Sequence, residues 1–199
     1  MRWLAVTGVV LLACAGPARA QTAETCAPEA QIMMLQDIET FDLSPRGWRR
    51  VLQQDGCDGA AADLVAKFAA FQASSLQPEE IRSLRWHEGQ LRARAGDLPR
   101  ALRLLTGARD GADIADPKTA YMGATLAFLK SDRSALEAAR GRLAAVPKPD
   151  GFDAAAAQYA QETGREAPKW PPNLGAVNAL IACFGRSYRD ATTDPACRS

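Results

Sequence analysis

Between Pro28 and Phe184 apolar side chains return at intervals of three and four residues, and no segment alternates apolar with polar over the length of a strand. That periodicity predicts an all-α chain of eight or nine helices. A first helix is expected from about Pro28 to Phe41, with Ile32, Leu35, Ile38 and Phe41 along one side. Ser44-Pro45 offers a cap and a first-turn proline for a short second helix through Trp48, Val51 and Leu52. A third helix carries Leu64, Val65, Phe68 and Phe71. Gln77-Pro78-Glu79-Glu80 opens a fourth, its acids favouring the positive end of the helix dipole, and it runs to Ala95-Gly96. Asp97-Leu98-Pro99 and Asp116-Pro117 start the next two. Two alanine-rich helices follow, one reaching Val146-Pro147 and one over roughly 152–163. Three prolines between Gly164 and Pro172 exclude a continuous helix there. Beyond them Leu174, Val177, Leu180, Ile181 and Phe184 form a last apolar face.

The first twenty residues do not fit this pattern. Met1-Arg2-Trp3, an apolar run from Leu4 to Ala15, Gly16-Pro17 and the small residues of Ala18-Arg19-Ala20 have the form of a secretory leader cleaved after Ala20. The run is shorter than the roughly 20 residues needed to span a bilayer. Leu11-Leu12-Ala13-Cys14 offers a competing reading as a lipoprotein box, in which Cys14 carries acyl chains and anchors the chain to a membrane. Leu12 stands where such boxes hold a smaller residue, so export with cleavage after Ala20 is the preferred expectation.

Cleavage leaves four of the five cysteines, Cys26, Cys57, Cys183 and Cys197. An even number in an exported chain predicts two disulfides, and four cysteines allow three connectivities. Local pairing, Cys26 with Cys57 and Cys183 with Cys197, is favoured because each pair brackets a helical unit. A zinc site is not expected, since there is no Cys-x-x-Cys and His87 is the single histidine. Removing the leader takes two arginines and leaves 22 basic against 23 acidic residues, a charge of −1. Such a balance does not suit nucleic acid. The remaining residues suffice for one helical domain: N-terminal helices over 21–77, a central part over 78–147 and C-terminal capping helices over 148–199.

The central part repeats. At an offset of 34, Gly89 pairs with Gly123, Leu98 with Asp132, Ala101 with Ala135 and Leu105 with Ala139. The stretch Trp86-His87-Glu88-Gly89-Gln90-Leu91-Arg92-Ala93-Arg94-Ala95-Gly96-Asp97-Leu98-Pro99-Arg100-Ala101-Leu102 resembles the tetratricopeptide repeat. Gly89 matches the small residue where two helices approach, Gly96-Asp97 the turn, and Ala101 the small residue of the second helix. A second unit keeps Gly123, Ala135 and the closing Pro147, with Lys130-Ser131 in place of the glycine turn. The resemblance covers about 82–147. It implies a short right-handed solenoid of helical hairpins whose first helices line a concave, peptide- or protein-binding face. In the second unit that face offers Ala120, Tyr121, Ala124 and Phe128, not the Lys and Asn of the carboxylate-gripping variant.

Seven arginines, 82, 85, 92, 94, 100, 103 and 109, face only Glu88 and Asp97 within the same span. They could attract an acidic partner, or be helix faces that balance the acidic N-terminal region. Trp86, Gln90 and Arg94 recur at i, i+4 and i+8 and share a side of their helix. With Arg92 and Tyr121 they are the candidate partner-binding residues. Trp170 is read as a staple for the last helix. No Gly-rich phosphate loop, Ser-containing elbow or Cys–His catalytic pairing appears, so no catalytic residue, metal or cofactor is expected. The sequence therefore points to an exported adaptor or scaffold that binds an envelope protein or peptide, with no nucleic acid and no transmembrane segment in the mature chain. Its alternatives are a carboxylate-dependent enzyme acting on envelope polymer and a structural accessory subunit. N-terminal mass analysis of protein recovered from its native envelope should find a chain beginning at Gln21; an acylated Cys14 would overturn the cleavage assignment.

Overall fold

The computed structural model describes residues 23–111 and 116–198; the leader, its cleavage site and Cys14 lie outside them. The described chain is helical without strands, in ten α-helices and three segments of π- or 3-10 helix. In order these are α1 (Ala23–Cys26), α2 (Ala30–Met33), α3 (Asp58–Phe71), α4 (Pro78–Arg94), α5 (Leu98–Arg109), α6 (Pro117–Leu129), α7 (Arg133–Ala144), α8 (Phe152–Thr163), α9 (Leu174–Ala182) and α10 (Tyr188–Thr193). A π-helical turn at Glu39–Leu43 and 3-10 turns at Trp48–Gln53 and Pro195–Arg198 complete the set. Both disulfides join the expected cysteines, Cys26 with Cys57 and Cys183 with Cys197.

The expectation of eight or nine helices fails at both ends, each time through a local hydrogen bond. The single helix expected over Pro28 to Phe41 is interrupted because the Asp37 carboxylate accepts from the Thr40 amide at 2.7 Å and its hydroxyl at 2.9 Å, restarting the chain. Phe41 is buried as expected and stacks on Phe68 with ring centroids 3.7 Å apart, but Ile32 and Leu35 stay exposed. At the other end Gly185 turns the chain at φ 90°. The Ser187 hydroxyl then accepts from the Asp190 amide at 3.0 Å, starting α10.

Two apolar cores share one helix. The first gathers Phe41, Val51, Val65 and Phe68 against Leu84 and Leu91 of α4. The second gathers Leu105, Met122, Phe128, Leu136, Val177 and Leu180 against Trp86 and Ala93 of the same helix. The N-terminus of α4 is fixed by reciprocal bonds between Gln77 and Glu80, with Pro78 in the first turn. It packs closely on α3 and α5, and α6 packs on α7 in the same manner.

These two hairpins turn identically. After α4, Gly96 takes φ 85° and the Asp97 amide donates to Arg92 O at 2.9 Å; after α6, Ser131 takes φ 56° and the Asp132 amide donates to Ala127 O at 2.9 Å. Each aspartate then caps the next helix, on the amides of Arg100 and Ala135. Both are Schellman turns, so Lys130-Ser131, which stands in place of the glycine turn, makes the same turn with a left-handed serine. Counted from the turn, the spacing is 35 residues rather than 34. Ala101 therefore corresponds to the fully buried Leu136, while Ala135 sits one place earlier and only half-buried.

The glycines of the repeat differ in the same way. A Cβ on Gly89 would stand 2.7 Å from Cγ and Cδ2 of Leu105, whereas one on Gly123 would meet nothing closer than 3.8 Å. Gly89→Ala should cost about 1–3 kcal/mol by overpacking, and Gly123→Ala should gain up to about 1 kcal/mol from helix propensity. Ser131→Gly should gain about 0.5–1 kcal/mol by relieving a left-handed serine. Urea unfolding of the three variants checks the order.

Candidate functional site

α4 carries few apolar residues, and its less exposed polar ones are answered by several neighbouring elements. Toward α3, Arg92 lies 2.6 Å from Asp63, and Arg94 Nε 2.7 Å from Asp58 Oδ1, the latter an ion pair without hydrogen-bond alignment. Toward α5, the nearly buried Glu88 takes Arg100 at 2.7 Å and Arg92 at 3.3 Å. Toward α6 and α10, the Gln90 amide nitrogen donates to the hydroxyls of Tyr121 at 2.8 Å and Tyr188 at 3.1 Å. Burial, foremost, holds both phenols above their usual range, and Tyr121 beside Tyr188 adds to the effect there. Both stay protonated at any physiological pH.

The remaining direction is taken by His87. Its Nδ1 lies 2.7 Å from Oδ1 of Asp42, a buried residue of the π-helical turn. The same oxygen accepts from Trp48 Nε1 at 2.9 Å, the other from Ser83 Oγ at 3.2 Å, and the Arg49 guanidinium bonds the Asp42 carbonyl. Burial on its own raises the Asp42 carboxyl. The hydrogen bond and charge of His87, then Trp48 and Arg49, outweigh it and hold the group below its ordinary value. With Nδ1 engaged, the tautomer that presents Nε2 as the free ring nitrogen is the favoured one.

His87, Gln90, Arg94 and Tyr121 line a cleft of about 670 Å³ that α9 and α10 complete. Tyr188, Ala191, Thr192 and Arg198 form its C-terminal side, and Lys169 and Glu166, 2.7 Å apart, its rim. A smaller recess of about 380 Å³ shares His87, Gln90 and Tyr121 and adds Trp86 and Lys118. The C-terminal side is clamped. Cys183–Cys197 closes it on α9, Arg189 reaches Asp55 at 3.3 Å and Asp58 at 3.4 Å, and Arg186 reaches Asp194 at 2.8 Å.

Of the residues singled out from sequence, Gln90, Arg94 and Tyr121 thus meet in the cleft. Trp86 lies mostly in the second core, edge-on to Tyr121 with centroids 5.9 Å apart, and only borders the recess. Arg92 is buried between α3 and α5, away from the cleft. Trp170, in the loop that leads into α9, donates to Val146 O just after α7 at 3.0 Å and meets the Phe152 ring of α8 at 5.2 Å. Sequence reasoning missed Asp42, Trp48, Tyr188 and Arg198. Only Tyr188 had a local signal, Ser187 three residues before Asp190, which is a helix start.

The arrangement can hold a ligand by hydrogen bonds and charge, with the His87 ring oriented by the Asp42 carboxylate. Among the described residues no group of histidine, cysteine and carboxylate side chains is arranged to hold a metal ion. Comparison with family models, with curated proteins and with solved structures finds no match.

Asp42→Asn should cost about 1–3 kcal/mol, because His87 loses its charged partner and a donor is set against Ser83. The folded-state pKa of Asp42 is depressed, so its contribution is present above the unfolded value near 3.8 and is lost as pH falls through the folded value. Denaturation midpoints of wild type and variant should therefore differ at pH 7 and converge below about pH 4.

Proposed function

We propose that the chain is an exported interaction protein of the bacterial cell envelope, holding a segment of a partner protein in the cleft between α4, α6, α9 and α10. The observation that carries this reading is the cleft itself: α4 and α6, the first helices of two hairpins with the same turn, both contribute to it. In the tetratricopeptide family, which 82–147 resembles, first helices line the binding face. The spacing of 35 residues between turns is within a residue of that family's period. Export is supported by two disulfides, which fit an oxidising compartment. No helix among the described residues is long and apolar enough to cross a membrane.

Cleavage of an envelope glycan is the less supported reading. It calls for two carboxylates flanking the bond, and the cleft lining has one, Glu166, engaged by Lys169.

A photo-crosslinking residue at Ala176, exposed on the cleft wall, against one at Ala138, exposed on α7, tests the proposal. The expected result is one envelope protein captured at 176 and not at 138, whose purified form binds the chain 1:1 by calorimetry and loses binding to Ala176→Trp. Capture at both positions, or at neither, contradicts it.

A further inference from the structure

The seven arginines of 82–109 divide in the fold into two groups. Arg92, Arg94 and Arg100 are consumed by Asp63, Asp58 and Glu88. Arg82, Arg85, Arg103 and Arg109 have no carboxylate within ion-pair distance among the described residues, and the last three are exposed. Their placement is regular. Arg85 of α4 lies across α5, its Nη1 3.7 Å from where a Cβ on Gly107 would stand. Arg109 of α5 lies across α6, its guanidinium carbon 3.8 Å from the equivalent point on Gly123. Arg103 is one helical turn from Gly107 on the same side of α5, and Arg82 shares a shallow recess with Ala108 and the exposed Lys118. The glycines at 107 and 123 leave room for the Arg85 and Arg109 side chains to reach across the neighbouring helix. Glu79 and Asp116 line the same recess as Arg82 and Lys118, and Asp116 is occupied in capping the Lys118 amide at 2.8 Å.

We infer that this row across α4, α5 and α6 docks the protein on a membrane surface rich in anionic phospholipid. Four of its five cations are arginine, whose planar fork binds phosphate oxygens bidentately. The cations stand on three successive helices, so several headgroups rather than one would be engaged. The mature chain as a whole carries −1, so this attraction is local. The surface involves none of the cleft residues His87, Gln90, Arg94 and Tyr121, and the inference stands or falls apart from the proposed function. It also keeps the protein beside a membrane with no spanning helix among the described residues.

The test is co-sedimentation of the full mature chain with vesicles of phosphatidylglycerol in phosphatidylcholine, against phosphatidylcholine alone. The expected result is binding to the anionic vesicles only, declining as salt shortens the screening length below about 10 Å. Arg85→Gln with Arg103→Gln should lower partitioning about twenty-five-fold, from roughly fivefold for each arginine near an anionic surface. Arg142→Gln with Lys67→Gln, exposed cations elsewhere, should leave it unchanged, and unaltered circular dichroism melting checks that both double variants fold. Equal recovery with the two vesicle types, or equal losses in the two double variants, would overturn the inference.

Discussion

Placing a polar helix between two apolar cores is the constraint on which this fold depends. α4 gives Leu84 and Leu91 to one core and Trp86 and Ala93 to the other. The residues between them are Arg85, His87, Glu88, Gly89, Gln90 and Arg92. A buried charge without a partner is costly, and a buried polar group without a hydrogen bond is nearly so. Every element around α4 is accordingly positioned to answer one of its side chains: α3 through Asp58 and Asp63, the π-helical turn through Asp42, α5 through Arg100, α6 and α10 through two tyrosines. Such pairs add little net stability compared with apolar packing. Their effect is to exclude other registers, because shifting α4 by one residue would strand several charges at once.

The cleft follows from the same arrangement. Gln90 and His87 lie at the boundary of the two cores, where α4 has no helix packed fully over it, and the C-terminal segment covers that boundary only in part. α10 is six residues long and cannot be stable alone. It is held by the buried Tyr188, by Arg189 bridging to Asp55 and Asp58, and by the Cys183–Cys197 bond on its far side. The C-terminal wall is thus tied to α9 covalently and to the N-terminal region by charge.

Local features of this molecule were legible in the sequence, and long-range ones were not. Gln77-Pro78, Asp97 and Asp116 cap helices where their spacing says they should, since capping involves residues two to four apart. The disulfides were legible because each brackets a compact unit. By contrast Asp42 and His87 meet over 45 residues, and Gln90 and Tyr188 over 98, with nothing in either neighbourhood to announce it. Periodicity also misjudged Ile32 and Leu35: an apolar stripe marks a buried face only if the helix continues, and α2 stops at Met33. Among the candidate residues, the i, i+4, i+8 row found Gln90 and Arg94. Trp86 at its start went mostly to the core because a large aromatic one turn earlier falls against α6 rather than over the opening.

Native-state hydrogen exchange along the chain tests most directly whether α4 is the axis of the fold. The account predicts that amides from Leu84 to Ala93 exchange in the slowest class, through global unfolding only, despite their polar sequence. α8, whose single buried residue is Ala156, should exchange far faster. If α4 exchanged as readily as α8, the ion pairs and the Gln90 network would not be holding it, and neither the shared core boundary nor the cleft wall could stand as described.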